Sequence, residues 1–386
     1  MQIIKSLEVK LEDKKVGTLA LTSNRQAVFQ YTKEWLTSGF PISPLSLPLK
    51  NEVFYPKNDN FDGLFGVFDD SLPDGWGRLL TDRLLIKKGI DPGAINVLHR
   101  LALIGENGKG ALSYHPAIEM ENKAASMSFD EIARECQQLL DSQPSEHLDE
   151  LYRRGGSSGG ARPKIIINEN GEEWILKFPS KQYDPENAGE YEYRYNLCAK
   201  RCGIDVPEVK LFPSKVCSGY FGSKRFDRYI QEGKPVRIHM ISAAGLLEVS
   251  HRMPSLDYIS LMQLTLYLTN GYKELEKLYR IMCFNVFAQN QDDHAKNFSF
   301  LYIDGKWQLS PAYDLTFSHS YYGEHSTSVN GNGKNPGLED IYIVAEKFKL
   351  SPDFYKPTAE LIRDYINDDL NYIIHPRLQD CFFLRD

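Results

Sequence analysis

Asn290-Gln291-Asp292-Asp293-His294-Ala295-Lys296-Asn297, followed after two short apolar runs by Ala312-Tyr313-Asp314-Leu315, is the stretch from which the rest of the chain is read. Asp292 and Asn297 stand five apart, the Asp-x-x-x-x-Asn pattern in which a carboxylate orients a hydroxyl nucleophile and an amide holds a metal ion. Phe298 to Ile303 and Trp307 to Ser310 read as strands joined by Asp304-Gly305, a hairpin turn signal. That hairpin would bring Asp314 back beside Asn297 as a second oxygen ligand for Mg2+. Asp293 is equally acidic but lacks the five-residue spacing to Asn297. Taken alone, the stretch also fits a polar, Asx-rich loop, so the reading depends on what lies upstream.

Upstream, Gly155-Gly156-Ser157-Ser158-Gly159-Gly160-Ala161-Arg162-Pro163-Lys164 places four glycines in six residues. Without side chains, such a loop can bring its backbone N–H groups close to a polyanion. It matches neither common phosphate-loop pattern, and a flexible hairpin loop is the bland alternative. The neighbours bear on the choice. Ile165 to Ile167 reads as one strand, Asn170-Gly171 as a turn and Trp174 to Pro179 as the next strand, with Lys177 inside an apolar run. Glycine-rich turn, hairpin and strand lysine is the order of a kinase small lobe, where the lysine neutralises nucleotide phosphates. A helix from about Ala188 to Arg201 carries Glu190 and Glu192, either of which could pair with that lysine. Gly203 stops this helix. Val209 to Phe212 and Gly219 to Phe226 read as further strands, ending in Lys224-Arg225-Phe226-Asp227-Arg228 where an inter-lobe hinge would lie.

Composition excludes several classes. The 386 residues are 42% hydrophobic and 25% charged, ordinary for a soluble globular protein of two or three domains. A net charge of −7 gives no electrostatic footprint for direct nucleic-acid binding. The six cysteines form no CxxC pair or zinc pattern, and buried thiols in a reducing cytoplasm are expected. No apolar run approaches the roughly 20 residues that span a bilayer, and the N-terminus reads as a strand.

The first 115 or so residues read as a three-strand meander (Leu7–Leu11, Val16–Leu21, Ala27–Tyr31), an extended proline-rich run over 41–49, and helices from about Gly77 to Lys88 and within Pro92 to Leu103. Nothing there has the residue set of a catalytic site, and an interaction module is the inference. Glu119 to Met127 reads as a linker, and Ser128 with Glu131 as a capping box opening a helix to about Leu140. Beyond the hinge the chain is mostly helical. Leu256 to Asn270 is apolar nearly all round, Tyr272 to Gln289 carries an apolar stripe, and a helix begins at Ser351-Pro352. Ser318 to Gly337 is polar and glycine-rich, where an activation or substrate-binding segment would lie. The expected domains are 1–118, 128–230 and 231–386, in an α+β, two-lobed kinase-like fold.

In this order the elements resemble the HipA family of bacterial serine/threonine kinase toxins over nearly the whole chain. Ser157 to Lys164 is similar to the family's phosphate-binding and autophosphorylation loop, and Leu176-Lys177-Phe178-Pro179 to its nucleotide-lysine strand. Arg225-Phe226-Asp227-Arg228 resembles its hinge, Asp292 to Ser299 its catalytic loop, and Ser310-Pro311-Ala312-Tyr313-Asp314 its metal-binding segment. The resemblance implies Asp292 as the catalytic carboxylate, with Asn297 and Asp314 binding Mg2+. It implies that Ser157, Ser158, Gly159, Gly160, Ala161, Lys177, Lys224, Phe226, Asp227, His294 and Asn297 surround ATP, with Glu192 the helix partner of Lys177. Ser157 aligns with the serine that members phosphorylate on themselves, although Ser158 stands beside it. A protein substrate of the aminoacyl-tRNA synthetase type is implied, as is a HipB-like helix-turn-helix antitoxin through which DNA is bound only indirectly. Where members commonly carry His-Gln-Glu-Asp after the hinge, this chain has Arg237 to Gly245, a departure that bears on the substrate or on the fit of the hinge region and not on the chemistry. Two other readings stay open: a catalytically weak co-repressor acting with a DNA-binding partner, and a small-molecule kinase.

Overall fold

The computed structural model describes residues 4–119, 126–180, 184–250, 252, 256–320 and 323–383. Its contacts divide the chain into two compact units, one of residues 1–187 and 212–249, the other of 188–211 and 250–386.

The first unit opens with the meander that alternating side chains call for. Ser6–Leu11, Lys14–Leu21 and Ala27–Tyr31 pair antiparallel in sequence order, and Leu112–His115 adds beside the first strand. Leu7, Val9, Val16, Leu19, Ala27 and Phe29 are all buried, as period-two patterning requires. The helix read from Gly77 begins at Gly75 and runs to Lys87. Ser128 caps the helix Phe129–Leu140 and Glu131 reaches back to it, the expected capping box. Residues 120–125 of the stretch read as a linker lie outside the described residues. The helix Leu148–Gly155 was not anticipated. Its buried face is narrow, Leu148 and Leu151 with Glu150, whose carboxylate is held by Arg153 and Arg154.

A single apolar core joins these helices to the next sheet. Trp76 and Leu80 from the N-terminal region pack with Ile132, Cys136, Leu139, Leu148 and Leu151, and with Ile165, Trp174 and Leu176 from the strands that follow. Those strands, Lys164–Glu169 and Glu172–Lys177, form the expected hairpin across Asn170-Gly171, and Tyr220–Lys224 pairs with the second of them. A short exposed hairpin, Arg228–Gln231 with Lys234–Arg237, follows within the same unit.

The second unit is mainly helical: Ala188–Arg201, Tyr258–Thr269, Tyr272–Phe287, Leu338–Lys347 and Pro352–Phe383. The stripe read in Tyr272–Phe287 is its buried face, including Leu275, Leu278, Ile281 and Met282. Two bonds set this helix as a base for the site. Glu274 near its start accepts the Leu309 N–H at 2.9 Å, and Ala288 at its end accepts the Tyr195 hydroxyl at 2.9 Å. Among the described cysteines, Cys136, Cys198, Cys202 and Cys283 are buried, and Cys217 is half-buried. No helix among the described residues is long and apolar enough to cross a membrane.

Candidate active site

The hairpin predicted from Asp304-Gly305 forms. Ser299–Ile303 pairs with Lys306–Leu309, and both turn residues take positive φ (+50° and +76°), as a two-residue turn with the right twist demands. One further rung, Ser310 N–H to the Ser299 carbonyl at 2.9 Å, extends the ladder towards the open end. There the Tyr313 hydroxyl donates to the Lys296 carbonyl at 2.5 Å and accepts from the Ser299 hydroxyl at 2.6 Å. The residue before Asp314 is thereby tied to the residue before Asn297. Asp314 itself sits in the left-handed region (φ +55°), which Asp tolerates better than most side chains.

The loop that carries Asp292 is fixed by its neighbours. Ala295–Asn297 forms one 3-10 turn, closed by Asn297 N–H to the His294 carbonyl at 2.8 Å. The Asn297 side-chain NH2 donates to the Asp292 carbonyl at 2.7 Å, so the five-residue spacing is one closed turn. This bond uses the NH2 end of the amide and leaves its oxygen as the end a hard cation could take. Asn297 and Asp314 carry oxygen donors of the kind that could hold Mg2+, which commonly uses one or two carboxylates with substrate phosphates. The Asp292 carboxylate is 63% exposed, whereas Gln291 and Asp293 on either side are 3% and 1% exposed. Asp292 is thus the outward-facing residue between two buried neighbours. His294 Nε2 lies 3.8 Å from Asp292 Oδ1.

In the first unit, Lys177 ends its strand opposite Lys164, with its ammonium 5.5 Å from the centre of the Phe221 ring. Lys224 pairs with Glu172. Phe226 and Asp227 form a turn. Asp227, read as a neighbour of the nucleotide, is 5% exposed and fully engaged by protein. Its oxygens accept from Arg225 at 2.9 and 2.8 Å, from Arg228 at 3.0 Å and from the Gly110 N–H at 2.8 Å. Burial alone would raise its pKa, but the charges and hydrogen bonds of Arg225, with the charge of Arg228, hold it well below the usual carboxylate range. Arg228 and Arg237 also donate to the Gly110 carbonyl, so the stretch 225–228 is riveted to the loop at 108–110 within the first unit. Glu192 lies in the second unit, 2% exposed on the helix Ala188–Arg201.

The glycine-rich loop begins where the helix Leu148–Gly155 ends. Gly156 N–H donates to the Tyr152 carbonyl at 2.7 Å and Ser158 N–H to the Gly155 carbonyl at 3.0 Å. The Ser158 hydroxyl donates to that same Gly155 carbonyl at 2.5 Å and is buried, while Ser157 is half-buried. The far side of the loop rests on the start of the helix Gly75–Lys87. Asp74 accepts the Gly160 N–H, and the Gly160 carbonyl accepts from Trp76 N–H at 2.9 Å. Gly75 and Gly77 permit this approach. A Cβ at 75 would lie 2.5 Å from the Gly160 carbonyl oxygen, and one at 77 would overlap the Ser158 carbonyl oxygen. Sequence reading assigned the Asp74–Gly77 run no part in a site. Its only signal was two glycines around a tryptophan, and the loop it supports lies some eighty residues away.

Comparison with known proteins adds the family. The pattern described as HipA N-terminal domain matches residues 7–115, and that described as HipA-like C-terminal domain matches residues 156–368. A Sinorhizobium fredii protein named "Putative kinase Y4dM" is 26% identical over 390 residues, covering 92% of this chain and 88% of its own. The serine/threonine-protein kinase toxin HipA of Shewanella oneidensis is 25% identical over 355 residues, covering 82% and 76%. A solved complex of Shewanella oneidensis HipA, HipB and operator DNA superposes with a TM-score of 0.70 at 20% identity, covering 95% of this chain and 90% of that one. That identity speaks for the fold alone, and the fold is the two-lobed, kinase-like α+β one. With both domain patterns present in order, the chain belongs to the HipA family of serine/threonine kinases.

Proposed function

We propose that this kinase transfers the γ-phosphoryl group of ATP, in the presence of Mg2+, to a serine or threonine of a cytoplasmic protein, with Asp292 as the catalytic carboxylate. The observation that carries the reading is the closed Asp292–Asn297 turn, which presents one exposed carboxylate between two buried side chains. Asp292 would accept a hydrogen bond from the attacking hydroxyl and orient its oxygen towards phosphorus. A carboxylate of ordinary acidity is enough, because the hydroxyl proton is released as bonding to phosphorus advances. Asn297 and Asp314 would hold Mg2+, which when bound neutralises charge on the phosphates. Lys177 would neutralise nucleotide charge from its strand, with Glu192 as its helix partner. Lys224 and Phe226 would flank the nucleoside, Asp227 would brace them through Arg225, and His294 would support the loop near the phosphates. Such a site needs positioning and charge neutralisation more than covalent help.

The loop Ser157, Ser158, Gly159, Gly160 and Ala161 would close over the phosphates after Gly160 leaves Asp74. Ser157 is the better acceptor for self-phosphorylation, because the Ser158 hydroxyl is already buried and bonded to Gly155. A dianionic phosphate among these N–H groups would exclude the nucleotide and inactivate the enzyme. By analogy with the complex of its Shewanella relative, a HipB-like antitoxin is the proposed partner, with DNA reached through it. An aminoacyl-tRNA synthetase is the proposed type of substrate. The test is phosphoproteomics of cells expressing wild type or Asp292→Asn. Sites phosphorylated only with wild type support the reading, and identical phosphoproteomes refute it.

A further inference from the structure

Gln291 and Asp293 do more than flank Asp292: each clasps the chain that follows Asp314. The Gln291 N–H donates to the Ser318 carbonyl at 3.0 Å, and its carbonyl accepts both the Ser326 N–H and the Ser326 hydroxyl, each at 3.0 Å. Its side-chain oxygen accepts the Ser320 N–H at 2.9 Å. Asp293 accepts the Thr327 N–H on Oδ1 at 3.1 Å, and its Oδ2 lies 3.1 Å from both the Tyr258 hydroxyl and His325 Nδ1. Its carbonyl accepts the Thr327 hydroxyl at 2.5 Å. The network runs on inside the second unit, from Asn285 to the Tyr258 hydroxyl at 2.9 Å and from Asn290 to Asn285 at 3.0 Å. Asp293, His325 and Thr327 are each at most 5% exposed. A buried carboxylate with this many donors is held in one orientation, because any other leaves polar groups without partners in a low-dielectric interior.

Resting on the catalytic role given to Asp292, we infer that Asp293 and Gln291 are positioning residues which lock Ser318, Ser320 and His325–Thr327 to the catalytic loop and so hold Asp292 in place. In many kinases the segment after the metal-binding Asp is ordered only when a phosphate on it finds an arginine. Here the same stretch is fastened by unmodified side chains. The hydroxyls of Ser326 and Thr327 are internal donors, so a phosphate on either would undo the lock rather than complete it.

The experiment compares wild type, Asp293→Asn and Asp293→Ala for Mg-ATP turnover and for ATP affinity by calorimetry. Asp293→Ala is expected to lose about 100-fold in kcat, the scale of a 1 Å misplacement, with KM and ATP affinity within about twofold of wild type. Asp293→Asn keeps one amide oxygen, for the Thr327 N–H, while its NH2 takes the place of the oxygen that faces Tyr258 and His325, and it is expected to recover part of that loss. A merely structural role would instead move stability and ATP affinity together. Should Asp293→Ala fail to fold, hydrogen exchange of the wild type decides. Peptides carrying Ser318, Ser326 and Thr327 should be as protected as the catalytic loop itself. An Asp293→Ala enzyme with wild-type kcat, or fast exchange of those peptides beside a protected catalytic loop, overturns the inference. Absence of turnover in wild type would instead remove the functional reading on which it rests.

Discussion

Removing the Asp227 carboxylate tests whether the stretch 225–228 is a structural rivet of the first unit. Four donors converge on it, from Arg225, Arg228 and the Gly110 N–H, in surroundings 5% exposed. Asp227→Ala leaves the 7% exposed Arg225 with Glu173 Oε2, 3.0 Å away, as its remaining carboxylate partner among the described residues. Breaking one side of a buried charge pair costs about 3–5 kcal/mol, and the surviving Glu173 contact places this case near the lower end. At about 3 kcal/mol, the first unit's thermal midpoint should fall by about 6–12 °C. Differential scanning calorimetry of the full chain, with ATP affinity measured in parallel, reads both consequences. Asp227→Asn should recover part of the loss, since its amide oxygen still accepts from Gly110. A variant that keeps its midpoint but loses ATP affinity more than tenfold would refute the rivet and return Asp227 to direct nucleotide contact.

Intact-mass analysis after incubation with Mg-ATP should show one added phosphate on wild type and on Ser158→Ala, and none on Ser157→Ala. Gly77→Ala places a methyl against the Ser158 carbonyl and 2.7 Å from Pro73 Cβ. It should cost about 1–3 kcal/mol and raise proteolysis within the glycine-rich loop. His239, buried with its Nε2 2.8 Å from the Ile42 carbonyl, is pushed down to about 4 by desolvation, only partly offset by that bond. The folded chain therefore keeps it neutral while the unfolded chain takes up a proton below about 6.5. Stability should be unaffected by this group above that pH, then fall by about 3 kcal/mol towards pH 4. That share of the slope should be missing in His239→Gln, as checked by urea unfolding of both proteins across that range.

The parts of the fold visible in the sequence were those set by local rules. The period-two strands before Tyr31, the Ser128–Glu131 capping box and the Asp304-Gly305 turn each depend on neighbouring residues, and each formed as read. The helix Tyr272–Phe287 was legible because its apolar stripe is long and regular. Leu148–Gly155 was not, since two leucines on a charged octapeptide give little period to detect. In the site, the Asp292–Asn297 spacing corresponds to a real hydrogen-bonded turn. What stayed hidden were partnerships across long separations. Asp293 looked redundant beside Asp292, yet its carboxylate is spoken for by residues more than thirty positions away on either side. Asp74 meets Gly160, and Asp227 meets Gly110, through tertiary approach that no local pattern encodes.

The central claim is that Asp292 orients the nucleophile while other groups bind the nucleotide. Its most direct test measures transfer from γ-labelled ATP and ATP affinity on the same preparation of Asp292→Asn. Affinity is expected within about twofold of wild type and transfer reduced by at least about 100-fold, the lower range for loss of a general acid–base group. Transfer within threefold of wild type, with ATP still bound, would contradict it.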